Sequence, residues 1–260
     1  GQPHVKVETY TGSVHLVARI CNGNDLLAVL LAANAWEMAT AIDLTITYML
    51  GARMDRLIAG GHPLTLKVIA DLLRPVFANI AVVDPHSEAT LKFLGGAKSI
   101  LPFYAVQAAV DAIGVQESDF DFALCSPDKG ATERVQMYAE RLYGGVPIIQ
   151  CVKHREATTG ALSGFSLAEN TKVVQKTVLI CDDICDGGGT FAGVAKVLRN
   201  AGAEHVFLFV THAILSKGSK IPGIDHIYTT DSYYDEVYYT SVHDKRVTCF
   251  PFPISILACA

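Results

Sequence analysis

Runs of consecutive apolar residues, each followed by a stretch with helical spacing, set the limits on what this chain can fold into. Val178-Leu179-Ile180-Cys181 has no polar face, so as a strand it must be covered on both sides. The same reading gives strands over 13–20, 44–48, 79–84, 120–125, 146–152, 177–181 and 205–211. Helical spacing falls between them, over 24–40, 64–77, 103–113, 131–143 and 190–200. In the first helix Asn24 or Asp25 is placed to cap the start, and Leu26, Leu27, Leu30, Leu31, Ala35 and Met38 share one face. Gly202 closes the last helix. Strands alternating with helices imply right-handed βαβ units and mainly parallel sheets, an α/β architecture. A boundary near 104–114 divides the chain into two lobes, residues 1–108 and 109–260. Two stretches lack clear periodicity: a loop over 49–63, and a Thr-, Ser- and Gly-rich segment over 154–171 whose Gly160 and Gly164 suit mobility.

Composition excludes several classes of function. Half of the 260 residues are hydrophobic and 18% are charged, with 21 Lys and Arg against 26 Asp and Glu, for a net charge of −5. A disordered chain is poorer in apolar residues, and a dedicated nucleic-acid binder needs a basic face. Mean hydropathy is high at +0.30, yet the most apolar windows, Asp25–Ala33 and Val206–Val210, fall far short of the ~20 residues that span a bilayer. No membrane and no nucleic-acid partner is expected. The seven cysteines include no C-x-x-C pair and mostly sit in apolar runs. They read as reduced core residues of a cytoplasmic protein, with no disulfide framework or zinc site. The chain opens at Gly1 without an initiator Met and runs straight into strand-like sequence, which suggests a lost beginning.

In an α/β sheet, ligands bind beyond the carboxyl ends of the strands. The most informative residues lie there. The apolar strand 178–181 ends in Asp182 and Asp183, then come Ile184, Cys185 and Asp186, three glycines (Gly187, Gly188, Gly189) and Thr190 at a helix start. Glycines let backbone N–H groups curl around an anion, and the helix N-terminus adds partial positive charge. The spacing Gly187, Gly189, Ala192 also matches a dinucleotide fingerprint. The three carboxylates argue against it, because a pyrophosphate beside them would be repelled. Carboxylates are good acceptors for sugar hydroxyls, so the pattern describes a ribose with a phosphate in the glycine loop. The plainer alternative is a strand–turn–helix with capping acids.

This segment resembles the ribose-phosphate loop of the phosphoribosyltransferase fold. Other segments narrow the resemblance to ribose-phosphate pyrophosphokinases. They are Tyr48-Met49-Leu50-Gly51-Ala52-Arg53-Met54-Asp55-Arg56, Val82-Val83-Asp84-Pro85-His86, Ser126-Pro127-Asp128-Lys129-Gly130, Lys153-His154-Arg155 and Thr211-His212-Ala213-Ile214-Leu215-Ser216. They occur in family order over about residues 1–232. The resemblance implies two phosphoribosyltransferase-like lobes, each a mainly parallel sheet flanked by helices. The first would serve ATP and the second the ribose phosphate. It implies Mg²⁺-dependent transfer of the β,γ-diphosphoryl group of ATP to the anomeric hydroxyl of a ribose 5-phosphate moiety, with release of AMP. It implies a homo-oligomer too. Arg53, Asp55, Gln2 and His86 would hold ATP. His86 and Asp128, assisted by Asp84, would hold Mg²⁺. Lys153, Arg155 and His86 would act at the transferring phosphates. Asp182, Asp183, Asp186 and Gly187 to Thr190 would bind the ribose phosphate.

The chain also departs from the family pattern. Met54 stands where the family usually has Gln. His154-Arg155-Glu156-Ala157 replaces a basic, proline-containing continuation, and Ser87-Glu88-Ala89-Thr90 a glutamine-rich run. The upstream ATP-binding loop is absent or survives only as Gly1-Gln2, and Tyr233, Tyr234, Tyr238 and Tyr239 cluster in an unfamiliar C-terminal segment. The usual Asp-Thr-Ala-Gly-Thr loop is here Asp186-Gly187-Gly188-Gly189-Thr190, which loses a hydroxyl donor and a methyl and is expected to open space. ADP-ribose is therefore an alternative acceptor, giving ADP-ribose pyrophosphate for NAD metabolism, with the tyrosines available to stack on its adenine. A phosphoribosyltransferase and an inactive regulatory subunit are the other readings.

Overall fold

A computed structural model describes residues 3–8, 10–115, 121–143, 145–155, 162–169, 171, 175–233 and 245–253. The chain forms two compact units, one of residues up to Pro102 together with Phe252 onward, the other Phe103–Pro251. The division thus falls ahead of the helix expected over 103–113, whereas the sequence placed it inside that helix.

The first unit alternates strictly. Its elements are β1 (Ser13–Arg19), α1 (Gly23–Ala35), β2 (Ala41–Tyr48), α2 (Thr65–Leu73), β3 (Ile80–Val83), α3 (Glu88–Phe93) and β4 (Lys98–Ile100). The four strands pair in chain order, all parallel. The α1 cap is Asn22, not Asn24 or Asp25. Asn22 Oδ1 accepts from the backbone N–H of Asn24 and Asp25, while Asp25 Oδ2 accepts from the Asn22 N–H, a reciprocal capping box. The helix stops five residues earlier than its apolar pattern, at Ala35. Trp36 closes it, its indole N–H donating to Glu8 O at 3.2 Å, and Thr40 N–H donates to Gly12 O at 3.2 Å on the way into β2. Apolar spacing alone does not mark an end that side-chain and backbone bonds impose. The short elements α3 and β4 were not legible in the sequence.

The second unit opens with α4 (Phe103–Ile113) and continues β5 (Phe122–Ser126), α5 (Thr132–Arg141), β6 (Ile148–Arg155), β7 (Leu162–Leu167), β8 (Thr177–Cys185), α6 (Gly189–Asn200), β9 (His205–Ala213), β10 (His226–Thr230) and β11 (Val247–Phe250). A short 3₁₀ turn, Lys129–Ala131, leads into α5. Strand order is β11-β10-β9-β8-β5-β6-β7, parallel except for the β6–β7 pair. The chain leaves β5 toward β6 and β7, then returns to the other side of β5 for β8. This reversal is a topological switch point, and it splays the connections that follow β5 and β8. The core lies on β5, β8 and β9, where Leu124, Val178, Leu179, Ile180, Leu208 and Val210 are fully buried. Phe191, Val194, Ala195 and Leu198 form the buried face of α6.

Two expectations are corrected here. β8 runs on to Cys185, so Asp182 and Asp183 belong to the strand and do not follow it. The stretch over 154–171, read as aperiodic, contains the end of β6 and all of β7, an antiparallel pair in which Lys153 lies opposite Phe165.

Candidate active site

Four of the predicted residues belong to the first unit. Arg53 and Asp55 lie in the loop after β2, Asp84 and His86 in the loop after β3. These strands are parallel neighbours, so both loops leave the same end of the sheet. The first loop is built by its backbone. Ala52 N–H donates to Met49 O, Met54 N–H to Gly51 O, and Leu66 N–H at the start of α2 to Met54 O. Gly51 adopts φ +73°, a conformation glycine reaches without strain. Arg53 and His86 are exposed at the surface. Asp84 is fully buried at φ +40°, its N–H donating to Ile100 O at 2.9 Å. Gln2 lies outside the described residues.

The second unit collects the rest. The buried strand β8 delivers Asp182 and Asp183 to the switch point, and α5 reaches them with Arg134. The Arg134 Nη1 atom is 3.5 Å from Asp182 Oδ1 and 3.8 Å from Asp183 Oδ1. Burial, then the neighbouring Asp183 charge, push the Asp182 carboxyl well above the usual carboxylate range, and Arg134 opposes the shift. Burial, Asp182 and Asp186 likewise push the Cys185 thiol up to about 12. The sequence reading missed Arg134, whose one signal was a charge on the apolar face of a helix.

The glycine loop follows. Gly188 caps α6 at φ +73°, and no side chain caps that helix. The first backbone N–H groups of α6 are therefore available to an anion. A Cβ on Gly189 would meet nothing within 4 Å, so the loop faces open space there. Gly188 does not open space as expected. A Cβ on Gly188 would lie 2.9 Å from Ile221 Cγ1, and one on Gly187 would lie 3.4 Å from Lys217 Cδ. Both residues come from the segment after β9, which is drawn over β8 by Ile214 and Leu215 N–H groups donating to Cys185 O. Ile221 fills the place of a methyl, whereas a Cβ on Gly187 would meet the Lys217 stem at ordinary contact distance.

Lys153 reaches this loop from β6. Its ammonium donates to Thr190 Oγ1 at 3.3 Å and lies 6.0 Å above the Phe165 ring. Phe165 in turn packs on Gly193 of α6, where a Cβ would lie only 2.4 Å from the ring. Gly193 thus lets β7 seat on α6, and the β6–β7 pair brings Lys153 to the glycine loop. Arg155 ends β6, on the same strand. After β5, Asp128 Oδ1 accepts from Gly130 N–H at 2.9 Å, which fixes the carboxylate at the start of the 3₁₀ turn. Among the described residues no three His, Cys, Asp or Glu side chains group to hold an ion. A single fixed carboxylate fits a Mg²⁺ ion that takes its other oxygens from phosphates and water. No described helix is long and apolar enough to cross a membrane.

Comparison with known proteins fits this geometry. Residues 109–237 match the phosphoribosyl transferase domain. The ribose-phosphate pyrophosphokinase of Thermosipho africanus is 30% identical over 246 residues, covering 89% of this chain and 75% of that protein. Ribose-phosphate pyrophosphokinase 2 of Archaeoglobus fulgidus is 29% identical over 237 residues, covering 89% and 81%. The crystal structure of phosphoribosylpyrophosphate synthetase from Mycobacterium smegmatis superposes with a TM-score of 0.74 at 23% identity, covering 95% of this chain and 80% of that one.

Proposed function

The chain belongs to the ribose-phosphate pyrophosphokinase family, and from that premise we propose that it transfers the β,γ-diphosphoryl group of ATP to the anomeric hydroxyl of ribose 5-phosphate. The anomeric oxygen attacks the β-phosphorus, the bond to the oxygen bridging α and β breaks, AMP departs with that oxygen, and the hydroxyl proton goes to solvent. The observation that carries the reading is the meeting of Lys153 with Thr190 at 3.3 Å, one helix start away from the Asp182–Asp183 pair. One part of the site suits a sugar, one a phosphate, and one brings a cation to the phosphate.

Asp182 and Asp183 accept hydrogen bonds from the ribose hydroxyls. The loop from Asp186 to Thr190 takes the 5-phosphate on its backbone N–H groups. Lys153 and Arg155 stabilise charge that grows on the transferring phosphates. Arg53 and Asp55, with Gln2 and His86, serve ATP. Mg²⁺ is proposed at Asp128 and, separately, at His86 with Asp84 assisting. Mg²⁺, when bound, neutralises charge on the phosphates and helps align them. The six described cysteines carry free thiols, which supports a cytoplasmic setting.

Ribose 5-phosphate is the favoured acceptor, because the similar proteins are named ribose-phosphate pyrophosphokinases and Ile221 closes the space beside Gly188. ADP-ribose is the alternative. Incubation with ATP, Mg²⁺ and each acceptor, followed by mass spectrometry, separates them. The reading expects AMP and a diphosphorylated sugar from ribose 5-phosphate. AMP formation only with ADP-ribose transfers the same chemistry to the larger acceptor, and no AMP with either removes the proposal.

A further inference from the structure

We infer that Arg134 is a positioning residue for the acceptor sugar, holding the paired carboxylates of Asp182 and Asp183 in the arrangement that receives the sugar hydroxyls. The inference rests on the acceptor-binding reading of that pair.

The face of α5 that carries Arg134 is otherwise apolar, with Val135, Tyr138 and Ala139 buried beside it. An uncompensated charge there would be strongly unfavourable, and an aliphatic residue would pack without that cost. The Arg134 side chain stays only 10% exposed, against 17% for the Asp182 side chain and 5% for Asp183. A charge so placed calls for partners, and the two carboxylates supply them.

One guanidinium nitrogen is shared between the two carboxylates, at 3.5 and 3.8 Å, and Asp182 Oδ1 also accepts from the Asp183 N–H at 2.9 Å. The shared charge holds together the two carboxylates that would receive the sugar hydroxyls. The first turn of α5 is itself anchored, since Thr132 Oγ1 donates to Gln150 Oε1 of β6 at 2.8 Å. Arg134 therefore connects the acid pair of β8 to the strand that carries Lys153.

The test is binding, measured by calorimetry on the full chain with ribose 5-phosphate and, separately, ATP. Arg134→Gln and Arg134→Lys are compared with wild type, with folding checked by circular dichroism. Arg134→Gln is expected to weaken ribose 5-phosphate binding roughly 10- to 100-fold. Arg134→Lys, which keeps the charge and loses the planar fork, is expected to restore part of that affinity. ATP affinity should stay within about twofold, as for sites that share no partners. A folded variant that binds both ligands as wild type does would show that Arg134 only packs the fold, and would overturn the inference. Equal weakening toward both ligands would overturn it as well. Should Arg134→Gln fail to fold, Arg134→Lys decides alone, with acceptor affinity selectively reduced if the inference holds. Binding is read without turnover, so an inactive wild type that still binds ribose 5-phosphate would remove the proposed reaction and leave Arg134 to be judged.

Discussion

Gly188 is where backbone and neighbour act together. Its φ of +73° and the Ile221 Cγ1 atom 2.9 Å from a would-be Cβ both exclude a side chain. Gly188→Ala should lower stability by about 1–3 kcal/mol, seen as a lower melting temperature. The sequence showed three glycines and a phosphate loop. It could not show that Ile221 takes up the space beside Gly188, because Ile221 lies some thirty residues away along the chain and arrives through the β9 connection. Lys153 was legible as a cation after a strand, and its partner Thr190 as a hydroxyl at a helix start. Lys153→Ala should reduce kcat by roughly 10²–10³, with a smaller change in the KM for ribose 5-phosphate. The acid pair makes a stability claim with a definite sign. The Asp182 carboxyl is held above its ordinary range in the folded chain, so the folded state binds more protons there than the unfolded state. Stability from this group is present at low pH and falls as pH rises from the ordinary carboxylate range through the raised value. Asp182→Asn should therefore melt higher than wild type at neutral pH, with the difference shrinking on acidification. Thermal melts across pH check this, and a difference that grew on acidification would contradict it.

At the scale of elements, the central strands were readable because burial on both faces leaves an apolar run. β8 was read too short, since two adjacent acids look like the end of a strand. Tertiary contacts override that appearance, with Arg134 beside the acids and β9 in register as far as Cys185 paired with Ala213. β7 was missed altogether. Its sequence, Leu-Ser-Gly-Phe-Ser-Leu, has little β-propensity, and it is an edge strand held by pairing with β6 and by Phe165 on α6. Gly193 is the complement of that contact, a glycine inside a helix whose purpose lies in another element. Gly193→Ala should displace the Phe165 ring and loosen the β6–β7 pair from α6. We expect kcat to fall roughly tenfold, as small misplacements of a catalytic group do, while the far-ultraviolet circular dichroism stays unchanged. An unaltered kcat would separate the hairpin from the chemistry.

For the whole molecule, the division into two α/β units places the expected ATP residues Arg53, Asp55 and His86 in one and the sugar-phosphate residues in the other. The high mean hydropathy belongs to strands buried in parallel sheets. The switch point between β5 and β8 explains why Asp128, after β5, and the Asp182–Thr190 segment lie far apart in the sequence yet at one end of a sheet. The central claim is that the chain moves two phosphates at once. The most direct measurement follows the phosphorus, with ATP labelled at its β-phosphate, ribose 5-phosphate and Mg²⁺, and products separated by charge. The β label should appear in the diphosphorylated sugar while unlabelled AMP forms in equal amount. Labelled ADP together with a sugar that carries none of the label would mean that only the γ-phosphate had moved, and would contradict it.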